Sequence, residues 1–496
     1  MLRKIRITLA AVFFVGITAL FLDFTGALHA WLGWMAKVQL LPALLALNVG
    51  VVAALVLLTI IFGRVYCSVI CPLGVMQDLF AWMGKKSKRN RYAYSPERPW
   101  LRVVMLTLFV ISLCLGGSVI TQLLAPYSAY GRIASNLLAP LYRWGNNGLA
   151  YVAERMGSYA FYEVEVWVRS GVTFAVALGT LAILAVLAWR NGRTYCNTIC
   201  PVGTVLGYIA RYAWLKPVID TTKCNSCGLC ERNCKAACIN SKEKRIDYTR
   251  CVACMDCIST CKKQGIKYVH RKAESKAAEP APVDTSRRTF LTTTAVVAAT
   301  AAVKAQEMKV DGGLAAIQDK VVPDRQTHLV PPGALGARNF AKHCTACQLC
   351  VSACPNDVLK PSTTLTRLMQ PEMTYERGYC RPECTKCSEV CPTGAIRPIT
   401  REDKSSTQIG HAVWVKKNCI PLTDGVECGN CARHCPVGAI QMIHTDGKGK
   451  GKNKRSPKIP VIDVERCIGC GACEHLCPAR PFSAIYVEGH ERHKIN

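Results

Sequence analysis

Thirty cysteines stand in this chain of 496 residues, most of them in groups of four with one recurring spacing, Cys-x2-Cys-x2-Cys-x3-Cys. Two such groups lie side by side: Cys224, Cys227, Cys230 and Cys234, then Cys251, Cys254, Cys257 and Cys261. Three cysteines at two-residue gaps wrap three corners of an iron–sulfur cubane, and the fourth reaches the neighbouring cluster. The expected ligand sets are therefore Cys224, Cys227, Cys230 with Cys261, and Cys251, Cys254, Cys257 with Cys234. Zinc ribbons use pairs of cysteines rather than duplicated triplets with a trailing fourth. Disulfide frameworks belong to short secreted chains.

A second block holds four more groups, each closing on Cys-Pro: Cys344, Cys347, Cys350, Cys354; Cys380, Cys384, Cys387, Cys391; Cys419, Cys428, Cys431, Cys435; and Cys467, Cys470, Cys473, Cys477. The second group widens its first gap to three residues and the third to eight, so their first ligands arrive on longer loops. The four groups can pair first with fourth and second with third, or as neighbours; spacing leaves both open. The first block predicts a two-cluster ferredoxin domain over 216–270 and the second a four-cluster domain over 341–496, so six [4Fe-4S] clusters are expected from these 24 cysteines. In the first block Lys235 and Lys262 follow the fourth cysteines, where proline usually stands in bacterial ferredoxins.

The formal charge of +29 would suit nucleic acid. Each oxidised cluster with four thiolates carries about −2, however, so six would remove about twelve charges, and no nucleic-acid partner is expected. Half of the residues are hydrophobic and the mean hydropathy is +0.16. Four apolar stretches reach the roughly 20 residues that cross a bilayer: Ile7 to Ala27, Ala43 to Phe62, Val103 to Ala125 and Val172 to Trp189. Lysine and arginine crowd before the first and between the second and third, which sets both ends of the bundle in the cytoplasm. The expected fold is a four-span α-helical membrane bundle over 1–215, built as a tandem two-helix repeat, with α+β ferredoxin-like iron–sulfur domains.

The repeat is explicit. Gly63-Arg64-Val65-Tyr66-Cys67-Ser68-Val69-Ile70-Cys71-Pro72-Leu73-Gly74 returns as Gly192-Arg193-Thr194-Tyr195-Cys196-Asn197-Thr198-Ile199-Cys200-Pro201-Val202-Gly203. Cys67, Cys71, Cys196 and Cys200 could hold a further iron–sulfur centre or work as a dithiol pair, or Cys-Pro could simply end helices. Cys114 reads as a buried small hydrophobe and Cys238 as a spare. Between 271 and 340 a linker rich in Ala, Glu, Lys and Pro carries Ser286-Arg287-Arg288-Thr289-Phe290-Leu291, the layout of an internal twin-arginine signal. There is no Cys-x2-Cys-His string, Rossmann fingerprint or Walker motif, which leaves c-type haem, nicotinamide and ATP chemistry unsupported.

With these motifs in this order, residues 1 to about 270 resemble the NapH type of ferredoxin protein, and the chain from about 284 onward resembles the NapG and MauM type. The resemblance implies electron transfer from the membrane quinone pool, as menaquinol or ubiquinol, to a periplasmic reductase or cytochrome, with the N-terminal ferredoxin in the cytoplasm and the C-terminal clusters in the periplasm. The Cys-x3-Cys-Pro pattern also resembles NosR-type and CcoG-type proteins, which implies the alternative of a metalloreductase or maturation factor. No quinone site stands out as a motif; Asp23 and His29, near the end of the first span, are candidates for taking up protons. A difficulty follows for the first reading, because about 30 Å of hydrocarbon separates the two cluster sets and no haem ligand pair bridges it.

Overall fold

The computed structural model describes residues 2–87, 92–116, 119–270, 318–445 and 457–495. Its first helix, Leu2–Leu22, stops short of Ala27 because the Asp23 carboxylate folds back on the next turn. Asp23 Oδ1 accepts from the backbone N–H groups of Thr25 (3.0 Å) and Gly26 (2.9 Å), and Oδ2 from that of Leu28 (2.8 Å). Gly171–Asn191 starts where Ser170 Oγ accepts from the Thr173 N–H, and it contains the whole of the fourth expected span. These two helices, of 21 residues each, are long and apolar enough to cross a membrane.

The second and third expected spans are broken in two. Ala43 to Phe62 is divided into Leu40–Leu45 and Val49–Phe62, where Leu47 takes a φ of 53° and Asn48 Oδ1 accepts from the Val51 N–H. Val103 to Ala125 is divided into Pro99–Cys114 and Val119–Leu124, with Gly116 at a φ of 99° after the first piece. A left-handed residue cannot continue a right-handed helix, and apolar composition does not report such a break. At 1.5 Å per residue the longer pieces rise roughly 21 and 24 Å, short of the ~30 Å hydrocarbon core. Val15, Leu57, Ile111, Ile183 and Val186 face outward, while Ile17, Leu20, Phe21, Leu184 and Leu206 form the inner core. Cys114 faces outward as well, against the expectation of burial, since it lies on the outer side of its helix.

Two ferredoxin-like units sit at opposite ends of Leu2–Leu22, whose length is about 31 Å. At the N-terminal end, Leu215–Ile219 pairs antiparallel with Ile266–His270 around the small hairpin of Ile239–Asn240 and Arg245–Ile246. Arg3 Nε meets Asp256 Oδ1 at 2.8 Å, the Trp214 N–H donates to the Ile60 carbonyl, and Tyr268 Oη donates to that of Phe62. At the other end, Lys386 packs against Gly26, Arg169 Nη2 meets Asp357 Oδ1 at 3.0 Å, and Arg377 pairs with Glu165.

The C-terminal unit is built on Thr407–Trp414 against Ile485–Ile495, in register from Trp414 opposite Ile485 with a shift between Gly489 and Lys494. Two further antiparallel pairs, Leu359–Pro361 with Pro371–Met373 and Ile440–His444 with Lys458–Ile462, complete it. Its packed chain begins before residue 341: Leu329, Val330, Ala334 and Phe340 are buried in the core, and Arg325 pairs with Glu474. Apolar residues this sparse show no periodicity, so composition reads the stretch as linker. The twin-arginine string at 286–291 lies outside the described residues.

Candidate iron–sulfur sites

In four of the six groups the backbone takes left-handed φ on both sides of the middle cysteine: Ser226 and Gly228, Ala253 and Met255, Ala346 and Gln348, Gly469 and Gly471. For residues other than glycine this costs about 1–2 kcal/mol each, and it persists only where the surroundings demand it. Its effect is to curl the loop around the space between the sulfurs. The two groups with widened gaps, at Cys380 and Cys419, lack this alternation.

The sulfurs gather as sets of three plus one. One cavity is lined by Cys251, Cys254, Cys257 and Cys234, a set expected from the spacing. Cys224, Cys227 and Cys230 act on one another electrostatically, and Cys224, Cys230 and Cys261 pack in the same core. In the C-terminal unit the cavities are lined by Cys380, Cys384, Cys387 with Cys354, by Cys419, Cys428, Cys431 with Cys477, and by Cys467, Cys470, Cys473 with Cys435. Cys344, Cys347 and Cys350 face Cys391. Neighbouring groups thus exchange their fourth cysteines, the first with the second and the third with the fourth.

These residues fit cubanes. All thirty cysteines are free of disulfides, and among the described residues no three His, Cys, Asp or Glu side chains converge on a point that suits a single metal ion. Backbone N–H groups donate to sulfur from Gly265 to Cys261 (3.3 Å), Ala439 to Cys435 (3.2 Å) and Ala484 to Cys477 (3.3 Å), the kind of bond that tunes a cluster's potential. Burial pushes the Cys230 thiol up to about 11 and that of Cys470 up to about 12, whereas a hydrogen bond from Cys238 brings Cys234 down to about 7. Cys238, the expected spare, has its sulfur 3.5 Å from that of Cys234 and lines the same cavity.

The repeated motifs meet inside the bundle. Tyr66–Ile70 forms one wide π-helical turn, and the Pro72–Lys86 and Pro201–Ala210 helices start with proline directly after Cys71 and Cys200. Cys67, Cys71, Cys196 and Cys200 are all buried in one core. Two fully buried arginines cross between the repeats. Arg64 Nη2 donates to the Cys196 carbonyl (3.1 Å) and approaches Cys67 Sγ (3.9 Å); Arg193 Nη1 donates to the Cys67 carbonyl (2.6 Å) and approaches Cys196 Sγ (3.9 Å). Gly74 and Gly203 make room for this. A Cβ on Gly74 would stand 2.2 Å from the Cys67 oxygen and 2.7 Å from Arg193 Nη1, and one on Gly203 would stand 2.2 Å from the Cys196 oxygen and 2.9 Å from Arg64 Nη2. Gln77 Nε2 donates to Cys196 Sγ at 3.3 Å and the Gly203 N–H to Cys200 Sγ at 3.4 Å. Arg64 Nε and Arg193 Nη2 are buried without a partner.

Sequence reasoning missed the arginines, although each stands in the repeated Gly-Arg-x-Tyr-Cys string. It missed Asp78 too, whose carboxylate joins Arg193 Nε (2.7 Å), Arg6 Nη1 (2.9 Å) and Lys235 Nζ (2.9 Å). Burial alone would raise Asp78; Arg193 and Lys235 outweigh it and hold the carboxyl well below the usual range. Lys235 also reaches Asp256 Oδ2 at 3.2 Å, which explains a lysine where ferredoxins close on proline: it ties the domain to the bundle. Asp23 is occupied as the cap described above, with His29 Nδ1 3.2 Å from Oδ2; His29 Nε2 is buried without a partner.

The chain matches the family described as "4Fe-4S binding domain" over residues 44–90 and 172–221, the two segments that carry Cys67, Cys71, Cys196 and Cys200, and the family described as "4Fe-4S dicluster domain" over 343–420 and 426–480. The ferredoxin-type protein NapG of Escherichia coli (strain K12) is 34% identical over 177 residues, 34% of this chain and 75% of NapG. The methylamine utilization ferredoxin-type protein MauM of Methylobacillus flagellatus is 32% identical over 168 residues, 33% of this chain and 70% of MauM. The ferredoxin-type protein NapH of Escherichia coli (strain K12) is 27% identical over 195 residues, 39% of this chain and 55% of NapH. No solved structure matches the chain. It is an iron–sulfur electron-transfer protein, and it belongs to the family of ferredoxin-type proteins that includes NapG and MauM.

Proposed function

We propose that this chain is a membrane-bound quinol dehydrogenase component that takes electrons from quinol and passes them through its C-terminal clusters to a periplasmic reductase or cytochrome. The observation that carries the reading is the placement of two ferredoxin-like units at opposite ends of a helix of bilayer length. The 24 cysteines of the six groups are the proposed ligands, in the three-plus-one sets described above. In the proposed topology Val49–Phe62 and Pro99–Cys114 cross together with Leu2–Leu22 and Gly171–Asn191, and the short helices Leu40–Leu45 and Val119–Leu124 fold back against them, with the Leu40 N–H on Tyr66 Oη and Thr121 Oγ1 beside Ser112 Oγ. Exposed tryptophans support it: Trp82, Trp100 and Trp214 lie toward the N-terminal ferredoxin, and Trp31 and Trp144 toward the other end, as aromatic belts do at two interfaces.

Quinol oxidation releases two protons and two electrons, and cubanes take the electrons one at a time. His29 is the proposed proton acceptor at Nε2, with Asp23 holding the ring through Nδ1. Gly26, in the same turn, packs against the side chain of Lys386, which stands between Cys384 and Cys387. The test is anaerobic mixing of purified protein with a menaquinol analogue while the visible absorption of the clusters is followed. The clusters are expected to bleach, and His29→Gln to slow bleaching at least tenfold without changing the iron content. An inert wild-type protein that reduces copper(II) instead would replace this reading with the metalloreductase one.

A further inference from the structure

We infer that Cys67, Cys71, Cys196 and Cys200 hold a seventh iron–sulfur cluster inside the bundle, and that this cluster relays single electrons between the two ferredoxin-like units. The inference goes beyond the quinol reading and does not depend on it.

Four features of the tetrad point to a bound cluster rather than a dithiol. The four sulfurs are buried together and none is paired. Two guanidinium groups, completely buried, stand against them; an oxidised cubane with four thiolates carries about −2, which Arg64 and Arg193 offset. Arg64 Nε and Arg193 Nη2 lack acceptors, although buried N–H groups almost always have one, and the sulfides of a cluster would supply them. Gln77 and the Gly203 N–H already donate to thiol sulfur, as the backbone does in the ferredoxin units.

The tetrad also touches both neighbours. On the N-terminal side Arg64 Nη1 donates to the carbonyl of Thr249, two residues before Cys251, at 3.1 Å, and the guanidinium acts electrostatically on Cys251 itself. On the other side Tyr66 lies within electrostatic reach of Cys67, Cys71 and Cys200, and Tyr127 within reach of Tyr66, Cys347 and Cys391. Gly131 lets the two units close up here, since a Cβ on it would stand 2.3 Å from the Cys347 carbonyl oxygen. Arg132 Nε and Nη2, Tyr127 Oη and Gln348 Nε2 are again buried donors without partners. A single core runs unbroken from Cys67 and Cys200 through Tyr66, Tyr127 and Tyr130 to Cys347 and Cys350. One centre between the cytoplasmic-side and opposite clusters divides the gap into two shorter steps. Each step moves one electron and no proton.

The experiment uses the full chain in quinone-free liposomes with ferricyanide trapped inside and titanium(III) citrate outside, so each electron that crosses oxidises one titanium and reduces one ferricyanide. Wild-type protein is expected to bleach the trapped ferricyanide. Cys67→Ser with Cys200→Ser should lose about four irons per chain and slow bleaching at least a hundredfold, with the iron–sulfur signals of both ferredoxin units retained. As a milder variant, Gln77→Leu removes one N–H···S bond; it should keep the iron and shift one cluster's potential to more negative values. Unchanged iron in the double variant, four thiols that titrate as two disulfides, or continued crossing without the tetrad would each overturn the inference. Crossing by a protein that fails to oxidise quinol would uphold it and sink the quinol reading alone.

Discussion

Asp78 shows how much can hang on one side chain. Three cations converge on it, two of them from different parts of the bundle and the third, Lys235, from the ferredoxin. Removing one partner of a buried ion network leaves the others uncompensated, at about 3–5 kcal/mol. Asp78→Asn is expected to lose that much stability in chemical denaturation and to loosen the ferredoxin, seen as faster protease cleavage near Thr221. An unchanged midpoint would show that the network contributes nothing. Gly203→Ala tests the close approach at the tetrad: its methyl would collide with the Cys196 carbonyl, so the variant should lose tetrad iron while the cysteines themselves remain. Among the residues, the 24 cysteines of the six groups stand out in the sequence because a cubane imposes such spacing on a chain. Asp78 was not, because its partners come from positions 6, 193 and 235, and nothing in a local pattern links them.

Among the elements, the contact between ferredoxin and bundle carries a pH prediction. Asp78, Asp247 and Asp256 are all held below the usual carboxylate range, against the opposing effect of burial, by Arg193 and Lys235, by Thr249 and Arg250, and by Lys235 and Arg3 respectively. A carboxyl with a depressed folded pKa contributes stability above its unfolded value near 4, and loses it as pH falls through the folded value. Docking should therefore be flat between pH 5 and 8, read as hydrogen exchange of the Leu215–Ile219 and Ile266–His270 amides, and a steep change inside that window would contradict it. The helices teach the opposite lesson about legibility. Apolar composition located Leu2–Leu22 and Gly171–Asn191, but the breaks at Leu47 and after Cys114 depend on single φ values that composition does not encode.

For the whole molecule, cysteines are a large share of what the iron–sulfur units bury: four of the ten buried residues in one C-terminal cluster and three of the nine in the N-terminal ferredoxin. Metal binding in such units is folding energy, so stripping iron with a chelator should melt both ferredoxin-like ends and leave the bundle's helical circular dichroism largely in place. Cys470→Ser is expected to disturb one C-terminal cluster while the signals from Cys224 to Cys261 persist. Simultaneous loss of both sets would join what the fold keeps apart.

The sequence by itself determined the class of chemistry: iron–sulfur binding, a set of candidate ligands and the repeat follow from spacings that a metal core or a helix turn imposes over a few residues. Only the tertiary structure decided which groups exchange their fourth cysteines, that Lys235 bridges two units, and that the tetrad lies between them within reach of each. These depend on contacts between residues far apart in the chain, such as Arg64 with Thr249 and Gly131 with Cys347. Local spacing carries no information about which distant carbonyl a buried guanidinium will find; packing selects it.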